Sequence, residues 1–193
     1  MARVESSTMV FIPLQTERLT LRAYEVSDIP RLVPLIGARE VAATTLRIPH
    51  PYTEEHARDF IVSAREDLAN GKCLRLGIIL RQSETLCGGI GLMIEAEHRR
   101  AELGYWIGVP YWGNGYATEA ARIVVNYGFG TLGLHRIFAS HFANNPTSDR
   151  ILRKIGMRHE GSLRAHVMKW GELLDLEMYG MVASDVEHIT FGG

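Results

Sequence analysis

The sequence predicts one α/β (α+β) domain, with a mixed, mostly antiparallel sheet of about seven strands flanked by about four helices. The first observation is size and composition, because 193 residues, 46% of them hydrophobic, supply one sizeable core, and no linker divides them. The second is patterning, since period-two and helical spacings alternate along the chain. The third is connection length: short polar breaks predict antiparallel neighbours, whereas a helix between strands predicts a crossover. We expect the domain to span 1–193, with peripheral tails at 1–13 and 184–193.

The first third of the chain predicts one strand and two helices. Polar and apolar residues alternate over 18–22, as in a strand with one buried face. Residues 27–37 open with two helix-capping side chains, place a proline in the first turn and end on glycine. After a proline-bracketed loop at 47–51, residues 53–71 start on threonine, carry an apolar helical stripe and stop at Asn-Gly.

Strand patterns dominate from residue 74 onwards. Short polar breaks separate three strand candidates and predict an antiparallel meander over 74–80, 86–94 and 100–109. Apolar residues at helical spacing over 117–129 then predict the crossover helix. The chain closes with a strand at 134–142, a short helix at 148–155, and a strand pair at 157–167 and 173–182.

Charge and composition exclude several classes of protein. The net charge is −1, with 21 basic and 22 acidic residues, so the chain lacks the basic surface of a nucleic-acid binder. The sequence contains no run of about eighteen apolar residues, so no membrane span is predicted. Two cysteines, Cys73 and Cys87, indicate reduced, buried thiols and a cytoplasmic protein. His159 and Glu160 resemble the start of a zinc-protease helix, but Leu163 stands where the second ligand is needed, and we expect no metal.

Two glycines between a strand and a helix form the chemically informative loop. Gly113 and Gly115 allow successive backbone N–H groups to face one ligand, and the following helix adds its positive N-terminal end. This combination is typical of a phosphate or pyrophosphate site. Two alternatives stay open from the pattern alone. One is a simple tight turn, and the other is a dinucleotide fingerprint whose third glycine would fall at Thr118.

The stretch AELGYWIGVPYWGNGYATEA, residues 101–120, resembles the GNAT superfamily of N-acetyltransferases. It is similar in particular to the RimJ/RimL branch, which acetylates the N-termini of ribosomal proteins. NPTS at 145–148, KIGM at 154–157 and TERLTLR at 16–22 resemble further motifs of that branch, so the likeness covers roughly 14–183. Pro110 departs from the common superfamily pattern but suits the branch. Leu152 stands where many members have a catalytic tyrosine.

The resemblance implies acetyl-CoA as co-substrate and assigns residues to it. Backbone N–H groups around 112–117 would hold the pyrophosphate. The strand carrying 105–108 would splay from the strand at 137–141 and bind the pantetheine arm through its free backbone groups, one of which would polarise the thioester carbonyl. The implied cofactor-binding residues are Tyr105, Trp106, Ile107, Gly108, Trp112, Gly113, Asn114, Gly115, Tyr116, Ala117 and Asn145.

Two residues are candidates for the proton transfers. Glu102 precedes the cofactor segment and is our candidate base, although it could be an exposed strand residue paired with Arg99 or Arg100. Ser148 is our candidate hydroxyl donor to the departing thiolate, although it could cap the short helix. No cysteine lies near the motifs, which favours direct attack by the amine over an acetyl-enzyme.

The expected function is therefore acetyl transfer from acetyl-CoA to a primary amine, foremost the α-amine of a protein or peptide. The alternatives are a small-molecule amine such as a polyamine, aminoglycoside or amino acid, and a non-catalytic acyl-CoA-binding module. Loops at 46–52 and 166–172 are expected to flank the acceptor cleft. We expect a monomer or homodimer, with no nucleic-acid or membrane partner.

Overall fold

The computed structural model describes residues 11–186 and contains one eight-stranded sheet with six helices in that range. The strand order is β1-β2-β3-β4-β5-β6-β8-β7. The strands are β1 Leu14–Gln15, β2 Leu19–Ala23, β3 Cys73–Leu80, β4 Thr85–Glu95, β5 Arg100–Ile107, β6 Arg136–Phe142, β7 Arg158–Lys169 and β8 Glu172–Val182. The helices are α1 Ile29–Ile36, α2 Arg39–Ala43, α3 Glu54–Ala69, α4 Tyr116–Gly130, α5 Pro146–Lys154 and α6 Ala183–Val186.

Two apolar layers cover the two faces of the sheet. One layer joins the sheet to α4 and α5, through residues such as Ala120, Val124 and Leu152, none more than 1% exposed. The other joins it to α1 and α3, through residues such as Leu32 and Ile61. Burial of both faces follows from the crossover, because α4 passes over one face between β5 and β6 while the earlier helices pack on the other.

The predicted connections are confirmed. Strands β2 to β5 form an antiparallel meander, and β5 pairs in parallel with β6 after the α4 crossover. The strand count is eight rather than about seven, and the described helices number six rather than about four. Segments β1, α2 and α6 have two, five and four residues, which is too short for a period to show in sequence.

The short helix α5 starts earlier than predicted. It begins at Pro146, and Asn145 is its N-cap, because the Asn145 side-chain oxygen accepts the Ser148 backbone N–H at 3.2 Å. The alternative of Ser148 as the cap is therefore wrong. Proline at the first helical position needs no backbone hydrogen-bond donor, which is why the helix can start there.

Most residues of the two predicted tails, 1–13 and 184–193, lie outside the described range. Within that range, the Phe11 ring packs edge-on against Tyr127 with centroids 5.8 Å apart. Val186 in α6 packs against the core layer that contains α4. Between residues 11 and 186, no helix combines the length and the apolar character needed to cross a bilayer.

Candidate active site

Strands β5 and β6 are hydrogen-bonded only at their beginnings. The parallel register joins 100–102 to 136–138 and stops there. Beyond it, β5 runs on beside β4 to Ile107, while β6 runs on beside β8 to Phe142. The sheet therefore opens between the two strands, which is the separation that the family resemblance implied.

Backbone groups of β5 line this opening. The Gly108 N–H donates to the Cys87 carbonyl on β4 at 2.9 Å. Since hydrogen-bonded positions alternate along an antiparallel pair, Trp106 also directs its backbone groups toward β4. Tyr105 and Ile107 direct theirs toward the opening. The Ile107 carbonyl already accepts the Trp112 indole N–H at 2.7 Å. Of the four residues at 105–108 predicted to bind the cofactor, Tyr105 can therefore offer both backbone groups to an extended ligand, and Ile107 can offer its N–H.

The glycine loop carries consecutive backbone N–H groups without partners. The Trp112 N–H is already bonded to the Val109 carbonyl at 3.2 Å, and the next donor is the Glu119 N–H, bonded to the Gly115 carbonyl at 3.1 Å. Between them, the N–H groups of 113–118 have no acceptor among the described residues. The free backbone donors of the loop therefore begin at Gly113, and the Trp112 N–H is engaged within the chain.

The geometry of the loop favours an anion. Gly113 and Gly115 have φ values of 79° and 80°, in the left-handed region that glycine adopts without strain. The free N–H groups lie at the start of α4, where the helix dipole is positive. The loop thus has the donors and the charge for a pyrophosphate.

A clamp from the β1–β2 turn, residues 16–18, holds the glycine loop. The Arg18 guanidinium donates to the Asn114 carbonyl at 3.1 Å and to a Glu119 oxygen at 2.7 Å, and it lies 4.9 Å from the centre of the Tyr116 ring. Thr16 donates to the other Glu119 oxygen at 2.5 Å. Burial alone would raise the Glu119 pKa, but these hydrogen bonds outweigh it and lower the pKa. Glu119 therefore acts as a structural anion at the helix start.

A cleft of about 520 Å³ lies where the sheet opens. It contains both predicted catalytic residues, Glu102 and Ser148, together with Tyr105. The loop at 44–49 forms its rim, which places the predicted acceptor loop at the cleft. The other predicted loop, at 166–172 in the β7–β8 hairpin, contacts this rim. Its Lys169 ammonium donates to the Thr45 carbonyl at 2.7 Å.

Glu102 extends into the cleft from β5. One of its carboxylate oxygens accepts a hydrogen bond from Arg47 at 3.0 Å, and the other has no partner among the described residues. The neighbours considered from the sequence are engaged elsewhere, since Arg100 pairs with Glu95 and Arg99 donates to the Gly133 carbonyl. Glu102 is therefore a partly buried carboxylate facing the cleft, with one oxygen free to accept a proton.

Ser148 lies across the opening in the first turn of α5. The Asn145 side-chain amide donates to the Ser148 hydroxyl oxygen at 3.2 Å. Because the oxygen accepts this bond, the hydroxyl hydrogen remains free to donate to another group. Burial raises the pKa of the nearby Tyr105 hydroxyl to about 12, with Ser148 lowering it slightly. Both hydroxyls therefore stay protonated at neutral pH.

Three buried polar atoms of the cleft lack partners among residues 11–186. They are the hydroxyl groups of Tyr24 and Tyr105 and the Nε2 atom of His141. The His141 Nδ1 lies 2.8 Å from the Phe142 carbonyl and must donate to it, which leaves Nε2 as an acceptor when the ring is neutral. Buried polar groups without partners are uncommon. The Tyr24 and Tyr105 hydroxyls still have the polar side chains of Trp106 and Ser148 beside them, so His141 Nε2 is the buried polar atom that most needs a partner.

Other reactive groups near the cleft are limited. Cys73 lies in its wall, closer to the site than the sequence indicated, but burial raises its thiol pKa and keeps it protonated. A protonated thiol is a poor nucleophile. Among residues 11–186, no cluster of three or more His, Cys, Asp or Glu side chains could hold a metal ion.

Arg47 and His141 are cleft residues that lie within the predicted loop at 46–52 and the predicted strand at 137–141, but sequence reasoning singled out neither side chain. Arg47 lies in an irregular loop and reaches a carboxylate 55 positions further along the chain. His141 is one of several histidines without a motif around it. Neither carries a sequence signal, because only the fold brings them to the opening.

Comparison with known proteins agrees with this geometry. Residues 18–158 match the family model described as an acetyltransferase (GNAT) domain. The uncharacterized N-acetyltransferase p20 of Bacillus licheniformis is 35% identical over 88% of this chain and 95% of its own. A GNAT-family acetyltransferase from Bacillus anthracis, of known crystal structure, matches with a TM-score of 0.80 at 28% identity, covering 90% of this chain and 99% of its own.

A shorter match is to spermidine N(1)-acetyltransferase of Escherichia coli, which is 39% identical over 34% of this chain and 36% of its own. The family match spans most of the chain, and the opened sheet with its glycine loop lies inside it. The chain therefore belongs to the GNAT family and is an N-acetyltransferase that uses acetyl-CoA.

Proposed function

We propose that the protein transfers acetyl from acetyl-CoA to the α-amine of a protein or peptide N-terminus, by direct attack. The observation that carries the proposal is Glu102, a carboxylate with one free oxygen in an open cleft where β5 and β6 separate. A carboxylate is a mild base and suits an amine that loses its proton readily. The reference pKa of an α-amine is near 8, well below the roughly 10.4 of lysine.

The donor would lie along the opening. Its pyrophosphate would accept hydrogen bonds from the free N–H groups of 113–118, and its pantetheine arm would pair with the backbone of Tyr105 and with the Ile107 N–H. Asn145 retains one amide hydrogen beyond its bond to Ser148 and could donate it to the arm. The thioester would then end between Glu102 and Ser148, the two sides of the cleft.

The transfer itself needs two proton movements. Glu102 takes a proton from the acceptor ammonium, directly or through water, and leaves a neutral amine. The amine nitrogen attacks the thioester carbonyl, a C–N bond forms and the C–S bond breaks. The coenzyme leaves as a thiolate, which Ser148 stabilises by donating its free hydroxyl hydrogen. Because Glu102 already carries the first proton, the second proton, lost by the nitrogen on amide formation, passes through water to the thiolate, and the coenzyme is released as a thiol.

A polyamine acceptor suits the cleft less well. Among its charged lining residues, Asp59 and Glu102 are balanced by Arg47 and Arg75, so the cleft has no acidic excess to attract several ammonium groups. The match to spermidine N(1)-acetyltransferase covers only a third of the chain. The open rim instead leaves room for a chain that continues beyond its first residue.

The test measures acetyl-CoA-dependent thiol release with matched acceptors. One is a lysine-free peptide with a free N-terminus, another is the same peptide N-formylated with an added lysine, and the third is spermidine. We expect turnover with the first and an acetyl mass gain on its N-terminus. Turnover only with spermidine or only with the blocked peptide would overturn the proposal.

A variant separates catalysis from mere cofactor binding. Glu102→Gln keeps the shape of the side chain but removes the base, so turnover should fall by about 10² or more while acetyl-CoA binding persists. Glu95→Gln is the matched control, because Glu95 is a half-exposed, arginine-paired carboxylate outside the cleft. Acetyl-CoA binding without turnover on any acceptor would indicate a binding module and contradict the proposal.

A further inference from the structure

An exposed arginine, Arg47, lies on the solvent side of the candidate base Glu102. The Arg47 side chain is 63% exposed, yet its guanidinium extends across the cleft to a Glu102 oxygen at 3.0 Å and also contacts the Met93 sulfur. Arg47 lies in the rim loop, which has no regular secondary structure at this point. The approach to Glu102 is therefore shared between the acceptor and a positive charge.

The backbone on either side of Arg47 is anchored, so the position of this side chain is built into the fold. Lys169 holds the Thr45 carbonyl at 2.7 Å. Ile48 packs against the apolar layer of α1 and α3, and the His50 ring lies 3.1 Å from the Gly37 carbonyl. The loop is thus fixed at both ends, while the guanidinium itself faces the solvent-filled cleft.

This arrangement creates a conflict for a simple amine. The acceptor arrives as an ammonium and must approach Glu102, where it meets the Arg47 guanidinium. Like charges at this distance repel, and the ammonium alone offers nothing that satisfies Arg47 once the ion pair is broken. An acceptor that carries an anion beside its amine removes the conflict, because the ammonium pairs with Glu102 and the anion pairs with Arg47.

We propose that Arg47 is an anion-recognition residue, and that the preferred acceptor carries a carboxylate close to the amine that is acetylated. The proposal rests on the acetyl transfer proposed above and specifies its substrate. In a peptide, the carboxylate would be an acidic side chain in the second position, one Cα–Cα step of 3.8 Å from the reacting residue. In a free amino acid, it would be the α-carboxylate.

The other arginine of the cleft does not fill this role. Arg75 already pairs with Asp67 at 3.1 Å, donates to the Ser63 hydroxyl and lies over the Phe60 ring. If Arg75 turned toward a bound anion, it would lose all three of these interactions. Arg47 makes a single exposed ion pair, of the kind that contributes little to stability and exchanges readily. Arginine also matches a carboxylate with two parallel hydrogen bonds.

The test compares acceptors that differ only in charge beside the amine. The peptides Ser-Glu-Ala-Ala, Ser-Gln-Ala-Ala and Ser-Lys-Ala-Ala are used as C-terminal amides, so that the glutamate side chain is the sole carboxylate. Serine and serine amide form the second arm. For the wild type, we expect kcat/KM to be about tenfold higher with the carboxylate in one of the two arms, the effect of one charge-assisted hydrogen bond.

The variants test whether Arg47 causes that preference. Arg47→Gln should reduce the ratio to about one, and Arg47→Glu should shift the preference toward the lysine peptide. A purely structural role would alter all acceptors together and leave the ratio unchanged. Arg58→Ala is the matched control, because Arg58 forms a similarly exposed ion pair, with Glu54, outside the cleft and should keep the wild-type ratio.

The outcomes separate this inference from the proposed function. Peptide turnover with no preference for a carboxylate in either arm overturns the role of Arg47 and leaves peptide acetylation standing. Turnover only in the serine arm, with a preference that depends on Arg47, supports the anion site and overturns the peptide acceptor. A ratio that survives Arg47→Gln also overturns the inference.

Discussion

At the scale of single residues, Asn145 and Ser148 lie three positions apart and have different roles. One caps a helix, and the other offers a hydroxyl to the cleft. Asn145 caps α5 by accepting the Ser148 backbone N–H, and the Ser148 side chain is left with a free hydroxyl hydrogen facing the cleft. The cap therefore belongs to the fold, and the hydroxyl is available to the reaction. Substitution at each position should affect a different property.

We expect Ser148→Ala to lower kcat with little change in the melting temperature, since the backbone N–H that Asn145 caps is retained. Asn145→Ala should instead lower the free energy of unfolding by about 1 kcal/mol, the usual effect of losing a cap. Steady-state kinetics and thermal unfolding of both variants provide the check. Equal loss of stability in the two variants, with kcat of Ser148→Ala unchanged, would assign Ser148 to structure alone.

The residue scale also shows how far the sequence predicts the site. Glu102 and Ser148 were assigned from motifs, and both lie in one cleft, because each motif fixes an element that the sheet positions. Arg47 could not be assigned in this way. Its pairing with Glu102 depends on the path of an irregular loop, and such a loop has no periodicity from which the direction of a side chain can be read.

At the scale of elements, the β7–β8 hairpin supports the acceptor loop. Lys169 is only 9% exposed as a residue, its ammonium donates to the Thr45 carbonyl, and burial lowers its pKa. The centre of the neighbouring Trp170 ring lies 5.2 Å from the Arg39 guanidinium and 4.9 Å from the Lys169 ammonium. The hairpin tip thus holds the loop that carries Arg47.

Lys169→Met should therefore raise KM for the acceptor by several-fold and leave KM for acetyl-CoA unchanged. Methionine keeps the apolar stem but removes the ammonium, so the Thr45 carbonyl loses its donor and the rim loop loses an anchor. Lys72→Met is the control, because Lys72 is exposed and outside the cleft. A rise in both KM values would show that the hairpin acts on the whole site.

Elements also differ in how well the sequence predicts them. Strands β3 and β8 lie within one residue of the predicted bounds, because each is a long run rich in apolar residues that begins just after a glycine-containing turn. Helix α2 was missed, since five residues between two loops give no readable period. Strand β7 extends to Lys169 through register shifts, after 159 and after 163, that place the hairpin tip against the acceptor loop. Tertiary contacts, rather than local pattern, decide such features.

At the scale of the whole molecule, carboxylates tie distant elements together. Glu119 joins α4 to the β1–β2 turn through Thr16 and Arg18, and Glu160 joins β7 to β6 through Arg136. The Arg136 hydrogen bond is the main cause of the lowered Glu160 pKa. The hydrogen bonds to Glu119 likewise outweigh its burial and lower its pKa. Both groups should make stability depend on pH in the same direction.

A carboxyl with a lowered pKa in the folded state contributes its stability above the pKa of the unfolded chain, about 4.3 for glutamate. That contribution is lost as the pH falls through the lower, folded pKa. We therefore expect Glu119→Gln to lower the melting temperature by about 3 °C at pH 7, the effect of about 1 kcal/mol in a chain of this size. The difference from wild type should begin to shrink as the pH falls below about 4.3, where the unfolded carboxyl binds a proton, and should vanish below the lower, folded pKa.

Thermal unfolding from pH 3 to pH 7 measures this difference. Glu17→Gln is the control, because Glu17 is exposed, adjacent to the same clamp and without an ion pair among the described residues. The melting temperature of this variant should follow that of the wild type at every pH. Since the same clamp holds the glycine loop at the Asn114 carbonyl, Glu119→Gln should also raise KM for acetyl-CoA at pH 7. A pH-independent loss of stability would show that Glu119 acts through shape and not through its charge.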